Sequence, residues 1–242
     1  MDTIKIPKHI AIIVDGNGRW ATAQGKTRSE GHKAGFDRLE EIITYAIEKG
    51  VQVLSLYVFS TENFKREKKE VDYLMQLFKR NFKKVSAKLD KENVKVVFSG
   101  REKPLEDAII SMMREIEEST KDNTKAVVNF CLNYGGHAEI VDACKKVASE
   151  VKKGNIEIED IEETLFAQYL YQNLPPVDLL IRTSGEQRLS NFLPWQLSYA
   201  EFYFPEVAFP DFNKDEFDLA VLKYNKRDRR FGGMHHDENK NC

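Results

Sequence analysis

Asp15 stands where a short apolar run meets a glycine-rich turn, in His9-Ile-Ala-Ile-Ile-Val-Asp15-Gly-Asn-Gly-Arg19-Trp20. The run from Ala11 to Val14 reads as a strand buried on both faces. That puts Asp15 at the carboxyl end of a strand, which is where open α/β sheets bind ligands. Gly16 and Gly18 permit a sharp turn and let backbone N–H groups approach a ligand closely. Taken alone, the Asp-Gly pair is equally the cap and turn of an ordinary strand-to-helix junction, because these residues dominate turns. Five arginines weigh against that reading. Arg19, Arg28, Arg66, Arg182 and Arg188 fall at or near expected strand ends, together with Ser60, Asn63 and Ser190. One arginine is usually a solvated charge. Five so placed, in a chain of net charge −2, suit the oxygens of phosphate or diphosphate, which guanidinium forks grip in pairs. Asp15 and Glu201 are acids able to hold Mg2+ among such oxygens, since magnesium takes few carboxylates plus substrate phosphate.

Familiar phosphate motifs do not fit. The chain has no G-x-x-x-x-G-K-[ST] loop, and Gly16-Asn17-Gly18 is not a dinucleotide fingerprint. A hydrolase with an aspartate nucleophile is the enzyme alternative. Such enzymes usually carry a second acid two residues on, and here that position is Asn17.

The elements that must position these residues alternate between strand-like and helix-like, which predicts a mostly parallel sheet of about six strands covered by helices. Ser29 is a candidate cap for a helix from about His32 to Lys49, stopped by Gly50. His32 then lies in its first turn, where anions are favoured. A second strand spans Val51 to Ser60 and ends in the polar loop Ser60-Thr-Glu-Asn-Phe-Lys-Arg66. Val71, Leu74, Met75, Phe78, Phe82, Val85 and Leu89 then recur at helical spacing. That stripe is either core contact or one wall of an elongated apolar cavity. Asn93 to Gly100 reads as a third strand, with a helix beginning at Pro104, and Ala126 to Asn133 as a fourth. Tyr134-Gly-Gly leads into a helix to about Lys152, and Gly154 to Asn173 reads as one more. Val177 to Ile181 is a buried strand running into Arg182-Thr-Ser-Gly-Glu-Gln-Arg188-Leu189-Ser190. Phe202 to Phe204 is a last short strand, and Lys214 to Tyr224 a closing helix.

The composition is that of a globular chain, and a net charge of −2 favours neither nucleic acid nor an anionic membrane as partner. No apolar run reaches the ~18 residues of a spanning helix, and the N-terminus lacks a secretory h-region. Cys131, Cys144 and Cys242 are odd in number and lack metal-type spacing. These features predict a reduced, cytoplasmic protein. His235-His236 reads as part of a solvated tail rather than a metal site.

Four stretches carry a resemblance. They are His9 to Trp20, Ser60 to Arg66, Asn133-Tyr-Gly-Gly136, and Ile181-Arg-Thr-Ser-Gly-Glu-Gln-Arg-Leu-Ser-Asn-Phe192. In this order they closely resemble the cis-prenyltransferases, most of all the bacterial branch whose product is undecaprenyl diphosphate. The resemblance runs from about Ile6 to Gly233, and the aspartate-rich D-D-x-x-D segments of the trans-prenyl synthases are missing. It implies a single α/β domain over 1–242, ordered over about 6–233 with a polar tail at 234–242, and an apolar tunnel. It implies a Mg2+-dependent condensation of isopentenyl diphosphate onto an allylic diphosphate, typically farnesyl diphosphate.

Carried over residue by residue, Asp15 becomes the catalytic acid and a Mg2+ ligand, and Glu201 the second ligand. Gly16, Asn17, Gly18, Arg19 and Arg28 match positions that grip the allylic diphosphate, flanked by Trp20 and His32. Ser60, Thr61 and Glu62 match the loop after the second strand, and Asn63 a residue assigned a part in proton removal. Phe64 and Arg66 match further substrate contacts. Arg182, Arg188, Leu189 and Ser190 match the isopentenyl diphosphate pocket. Arg230 matches a C-terminal residue that reaches across a homodimer into the neighbouring site. Peripheral membrane contact for product release is a further expectation. Phe64 stands where bacterial members commonly have tryptophan, and Glu67 where they commonly have proline, which predicts a more flexible loop. A non-catalytic partner subunit is the alternative within the family. Such subunits have lost the acid and the diphosphate loop, whereas this chain keeps Asp15, Arg19, Asn63 and Arg66.

Overall fold

In the computed structural model, which describes residues 4–227, six strands form one parallel sheet in the order β3-β4-β2-β1-β5-β6. The strands are β1 (His9–Ile13), β2 (Val53–Ser60), β3 (Val94–Ser99), β4 (Ala126–Tyr134), β5 (Leu179–Arg182) and β6 (Glu201–Tyr203). The helices are α1 (Asn17–Ala23), α2 (Arg28–Glu48), α3 (Lys68–Lys91), α4 (Asp107–Thr120), α5 (Gly136–Lys152), α6 (Glu163–Gln168) and α7 (Lys214–Asn225). A 3-10 turn, Thr61–Lys65, follows β2.

Parallel pairing puts every strand's carboxyl end on one rim. β1 lies between β2 and β5, with Ile13 level with Tyr57 on one side and Arg182 on the other. The chain leaves β1 towards β2 and returns past it to β5, so β1 borders the crevice where connections diverge. Alternation along β1 sends Ile10 and Ile12 into the larger core, against α2, and Ala11 and Ile13 into a smaller one with Phe192, Leu193 and Leu197. Both faces are covered, which explains the unbroken apolar run.

Several boundaries differ from the sequence expectation. α2 begins at Arg28 and not His32, and its cap is Thr27 and not Ser29. Thr27 and Glu30 form a capping box, in which the Thr27 hydroxyl accepts the Glu30 N–H and Glu30 accepts the Thr27 N–H. α4 begins at Asp107 and not Pro104. The stretch 154–173 is not one helix but a 3-10 turn, Ile158–Asp160, and the short α6. It offers no continuous apolar face, and Ile158 and Ile161 remain exposed. β2 starts at Val53 and β6 at Glu201, so Glu201 is in the strand and not before it.

His9 anchors the amino end of β1 and is buried. Its Nδ1 lies 2.7 Å from the Pro175 carbonyl and its Nε2 2.8 Å from the Ser55 hydroxyl. Burial is the main cause that pushes its pKa down, from 6.5 to about 4. The unfolded chain therefore takes up a proton as pH falls through 6.5, whereas the folded chain resists until about 4. Stability drops across that window as pH falls, by about 3 kcal/mol from this residue. Urea unfolding at pH 7 and pH 4.5 should show a steeper loss for the parent protein than for His9→Gln. Parallel losses in the two proteins would contradict this role.

Candidate active site

The rim encloses a cavity of about 340 Å³. β1 and its turn supply Asp15, Gly16, Asn17, Gly18 and Arg19, α2 supplies Arg28 and His32, and the β2 end supplies Tyr57, Ser60, Asn63 and Arg66. β5 and the loop after it supply Arg182, Arg188 and Ser190. Thirteen of the residues expected from sequence thus meet in one place. Gly16 makes the turn at φ 99°, and a Cβ there would lie 1.9 Å from the Ser184 hydroxyl, so only glycine fits. Gly35 lets α2 close on α1, since a Cβ would lie 2.2 Å from the Asn17 amide oxygen.

Asp15 is the pivot. Its Oδ2 accepts from the Arg182 guanidinium at 2.9 Å, its Oδ1 from the Gly16 N–H at 2.7 Å, and Arg19 approaches to 3.4 Å. Burial works to raise the carboxyl pKa, but Arg182, the Gly16 N–H and Arg19 together hold it below the ordinary value. Asp15 is therefore ionised at neutral pH. Arg182 is only 4% exposed. It also donates to Ser190 Oγ at 2.7 Å and to the Arg188 carbonyl, so it ties Asp15 to the loop after β5. Tyr57 steadies the same loop. Its hydroxyl lies 3.2 Å from both the Ser190 and Tyr134 carbonyls, and its ring stacks on Phe192 at 4.4 Å.

The remaining arginines form two groups, each gathered on one carboxylate. Glu70, in the first turn of α3, lies 3.3 Å from Arg28, 3.0 Å from Arg66 and 3.0 Å from His32. Glu186 pairs with Arg19 at 2.7 Å and with Arg188. Burial keeps the His32 pKa below its ordinary value despite Glu70, so its ring is neutral at neutral pH. Neither Glu70, Glu186 nor Tyr57 was singled out from sequence. The Arg66-to-Glu70 spacing of four was legible there, but their meeting with Arg28 and His32 depends on how α2 packs against α3.

Asn63 accepts the Ser60 N–H on its amide oxygen at 3.0 Å, which leaves its amide NH2 as the group free to act in the cavity. Other expected residues stand outside the cavity lining. Phe64 packs edge-on against Phe59 at 4.9 Å, and Leu189 packs against the smaller core. Glu62 accepts from Asn191 at 3.0 Å, and the Trp20 ring lies under Lys26 at 4.6 Å. Thr61 opens the 3-10 turn.

Glu201 is not brought to Asp15. It is level with Leu179 and hence with Ile10, at the amino end of the sheet, and pairs with Arg227 at 3.2 Å. A parallel sheet places the first residue of β6 opposite the rim where Asp15 lies. The expected pair of acids on one ion therefore does not form within the chain. No group of three or more His, Cys, Asp or Glu among the described residues is placed to hold a metal. Arg230 lies outside the described residues.

In place of the expected apolar tunnel, a recess of about 40 Å³ adjoins the cavity and shares Val14, Asn17, His32, Val58 and Leu74 with it. The α3 stripe is mainly core: Leu74, Met75, Phe78, Phe82, Val85 and Leu89 are all buried.

Known proteins match the chain over nearly its whole length. A family model described as "Putative undecaprenyl diphosphate synthase" matches residues 13–232. A ditrans,polycis-undecaprenyl-diphosphate synthase of Legionella pneumophila, (2E,6E)-farnesyl-diphosphate specific, is 44% identical over 97% of this chain and 99% of that protein. An isoprenyl transferase of Streptococcus mutans is 48% identical over 95% of this chain and 94% of its own. Among solved structures, lavandulyl diphosphate synthase from Lavandula x intermedia, in complex with dimethylallyl diphosphate, superposes with a TM-score of 0.90 at 35% identity. That match covers 94% of this chain and 98% of the other. A "probable undecaprenyl diphosphate synthase" from Campylobacter jejuni gives 0.78 at 33% identity, over 96% and 100%.

Proposed function

Because the chain belongs to the undecaprenyl diphosphate synthase family of prenyltransferases, we propose that it condenses isopentenyl diphosphate onto farnesyl diphosphate and extends the product towards undecaprenyl diphosphate. The observation that carries this reading is the pair of basic groups, each gathered on a carboxylate, whose arginines line one cavity with Asp15. Two diphosphates need two such groups. The apolar recess opening beside His32 gives the prenyl tail a direction away from water.

The allylic diphosphate displaces Glu70 from Arg28 and Arg66, and isopentenyl diphosphate displaces Glu186 from Arg188. The allylic C–O bond breaks as the double bond of isopentenyl diphosphate forms a new C–C bond to C1. Transfer of a proton from C2 of the isopentenyl unit to an oxygen of the released diphosphate then leaves a cis double bond. Cationic forks stabilise the charge that grows on the leaving diphosphate. Asn63 presents its amide NH2 to that step, and Ser190 with Arg182 orients the second substrate.

Asp15 suits Mg2+ in chemical type, being an ionised carboxylate that opens onto a phosphate-binding cavity. When bound, the ion neutralises charge on the diphosphate and so helps the C–O bond ionise. The homodimer expected from the resemblance, with Arg230 serving the neighbouring copy, is part of this proposal, and analytical sedimentation tests the dimer. No helix among the described residues is long and apolar enough to cross a membrane. A peripheral contact is therefore the form that membrane association takes in this proposal.

Incubation with both diphosphates and Mg2+ should yield a ladder of prenyl diphosphates differing by one isoprene unit, read by mass spectrometry. Absence of any C–C condensation product would contradict the reading. The two basic groups should also separate kinetically. Arg28→Ala should raise KM mainly for the allylic substrate and Arg188→Ala mainly for isopentenyl diphosphate, each by roughly tenfold or more for a lost charge-assisted contact. If both variants raise the same KM alone, the two groups do not serve different substrates.

A further inference from the structure

The Asn133-Tyr-Gly-Gly136 turn between β4 and α5 contributes no side chain to the cavity lining, yet it lies against the loop that does. Asn191 makes the contact. Its carbonyl accepts the Gly136 N–H at 2.7 Å and its side-chain Oδ1 accepts the His137 N–H at 2.9 Å, so it caps the start of α5. Its Nδ2 donates in the other direction, to Glu62 Oε1 at 3.0 Å, in the turn that also carries Asn63. A Cβ on Gly135 would lie 2.9 Å from Asn191 Nδ2, and one on Gly136 2.0 Å from Pro194 Cδ, so the two glycines are what lets these segments meet.

Asn191 directly follows Ser190, whose hydroxyl takes the Arg182 guanidinium at 2.7 Å. Both residues are left-handed, Ser190 at φ 49° and Asn191 at φ 64°. Residues other than Gly, Asn and Asp rarely adopt that conformation, so a serine keeps it only where its surroundings over-determine it. Here the restraint comes from both sides, from Arg182 on Ser190 and from α5 with Glu62 on Asn191. The amide of Asn191 suits this place in chemical type. It accepts and donates at once, where a carboxylate only accepts.

We propose that Asn191 is a positioning residue for isopentenyl diphosphate: it seats the loop carrying Arg188 and Ser190 on the start of α5 and, through Glu62, ties that loop to the turn carrying Asn63. This rests on the reading of the site as a prenyltransferase. Asn191 acts through Ser190 and takes no part in bond making.

The test is the kinetics of the parent protein, Asn191→Gly, Asn191→Asp, Glu62→Gln and the double variant, with each diphosphate varied at saturating levels of the other and Mg2+ present. Glycine keeps the left-handed turn and removes only the side-chain bonds. Asn191→Gly should raise KM for isopentenyl diphosphate by roughly tenfold, the scale of a lost hydrogen bond to a carboxylate. Its KM for farnesyl diphosphate should stay near the parental value. Asn191→Asp keeps an acceptor for the His137 N–H but sets a carboxylate against Glu62, so it too should raise KM for isopentenyl diphosphate. In the Glu62→Gln background a glutamine amide can donate to that carboxylate, so the same change should cost several-fold less there. Where Asn191→Gly fails to fold, Asn191→Asp in the two backgrounds carries the test. A parental KM for isopentenyl diphosphate in Asn191→Gly overturns the inference, as does an equal rise in both KM values or an equal cost of Asn191→Asp in the two backgrounds. A parent protein that condenses nothing overturns the reading of the site, and this inference with it.

Discussion

Asp15→Ala is expected to remove condensation, lowering kcat by roughly a hundredfold or more, the scale on which loss of one charge-stabilising group acts in such sites. The expectation rests on position and charge. Asp15 shares the cavity with members of both basic groups, is held ionised by Arg182 and Arg19, and among the described residues is the one acid that lines the cavity. The change also leaves Arg182 with less compensation for its burial, so a drop of a few degrees in melting temperature should accompany it. Asp15→Asn separates the causes. Asparagine keeps an oxygen for Arg182 but not the charge, so it should restore stability more than turnover. Near-parental kcat in either variant, with an unchanged circular dichroism spectrum, would remove Asp15 from the chemistry.

The second large effect is expected from Arg182. Arg182→Ala should cut kcat/KM for isopentenyl diphosphate by roughly a hundredfold or more, because it removes a charge-stabilising group from the site together with the partner that holds Asp15 in place. Arg182 joins Asp15 to Ser190 with separate guanidinium nitrogens. A lysine carries the charge on one nitrogen and cannot reproduce that fork, so Arg182→Lys should recover little. The pH profile supplies a readout that a merely structural role would not move. Arg182 is the main partner holding the Asp15 carboxyl low against burial. Its removal lets that pKa rise, so the acidic limb of the activity profile should move to higher pH. An acidic limb at the parental position would contradict the link between the two residues.

Much of this site was legible in the sequence because strand ends announce themselves. The apolar run before Asp15 and the one before Arg182 each stop at a turn rich in Gly, Ser or Asn, and parallel pairing carries both ends to one rim. What was not legible depends on lateral position. Glu201 follows no such run, and only the register of β6 against β5 shows that it starts level with Leu179. Glu70 and Glu186 look like ordinary surface acids until helix packing and loop geometry surround them with arginines. The cap of α2 was misplaced by two residues because Ser29 and Thr27 are both good caps, and only Glu30 at the right spacing from Thr27 closes the box. The apolar stripe of α3 favours core over wall by its spacing, and its residues are both. Leu74 and Phe78 border the recess while Phe82, Val85 and Leu89 fill the interior.

The most direct test of two diphosphates meeting at Asp15 follows bond formation and diphosphate release in the same incubation. Farnesyl diphosphate and isopentenyl diphosphate are supplied with Mg2+ in amounts that permit one turnover, and the product is examined by NMR. The account predicts one diphosphate released per C–C bond formed, release that requires isopentenyl diphosphate, and a cis geometry at the new double bond. Phosphate or diphosphate released from farnesyl diphosphate alone, with no C–C product when both substrates are present, would contradict it and favour a hydrolase.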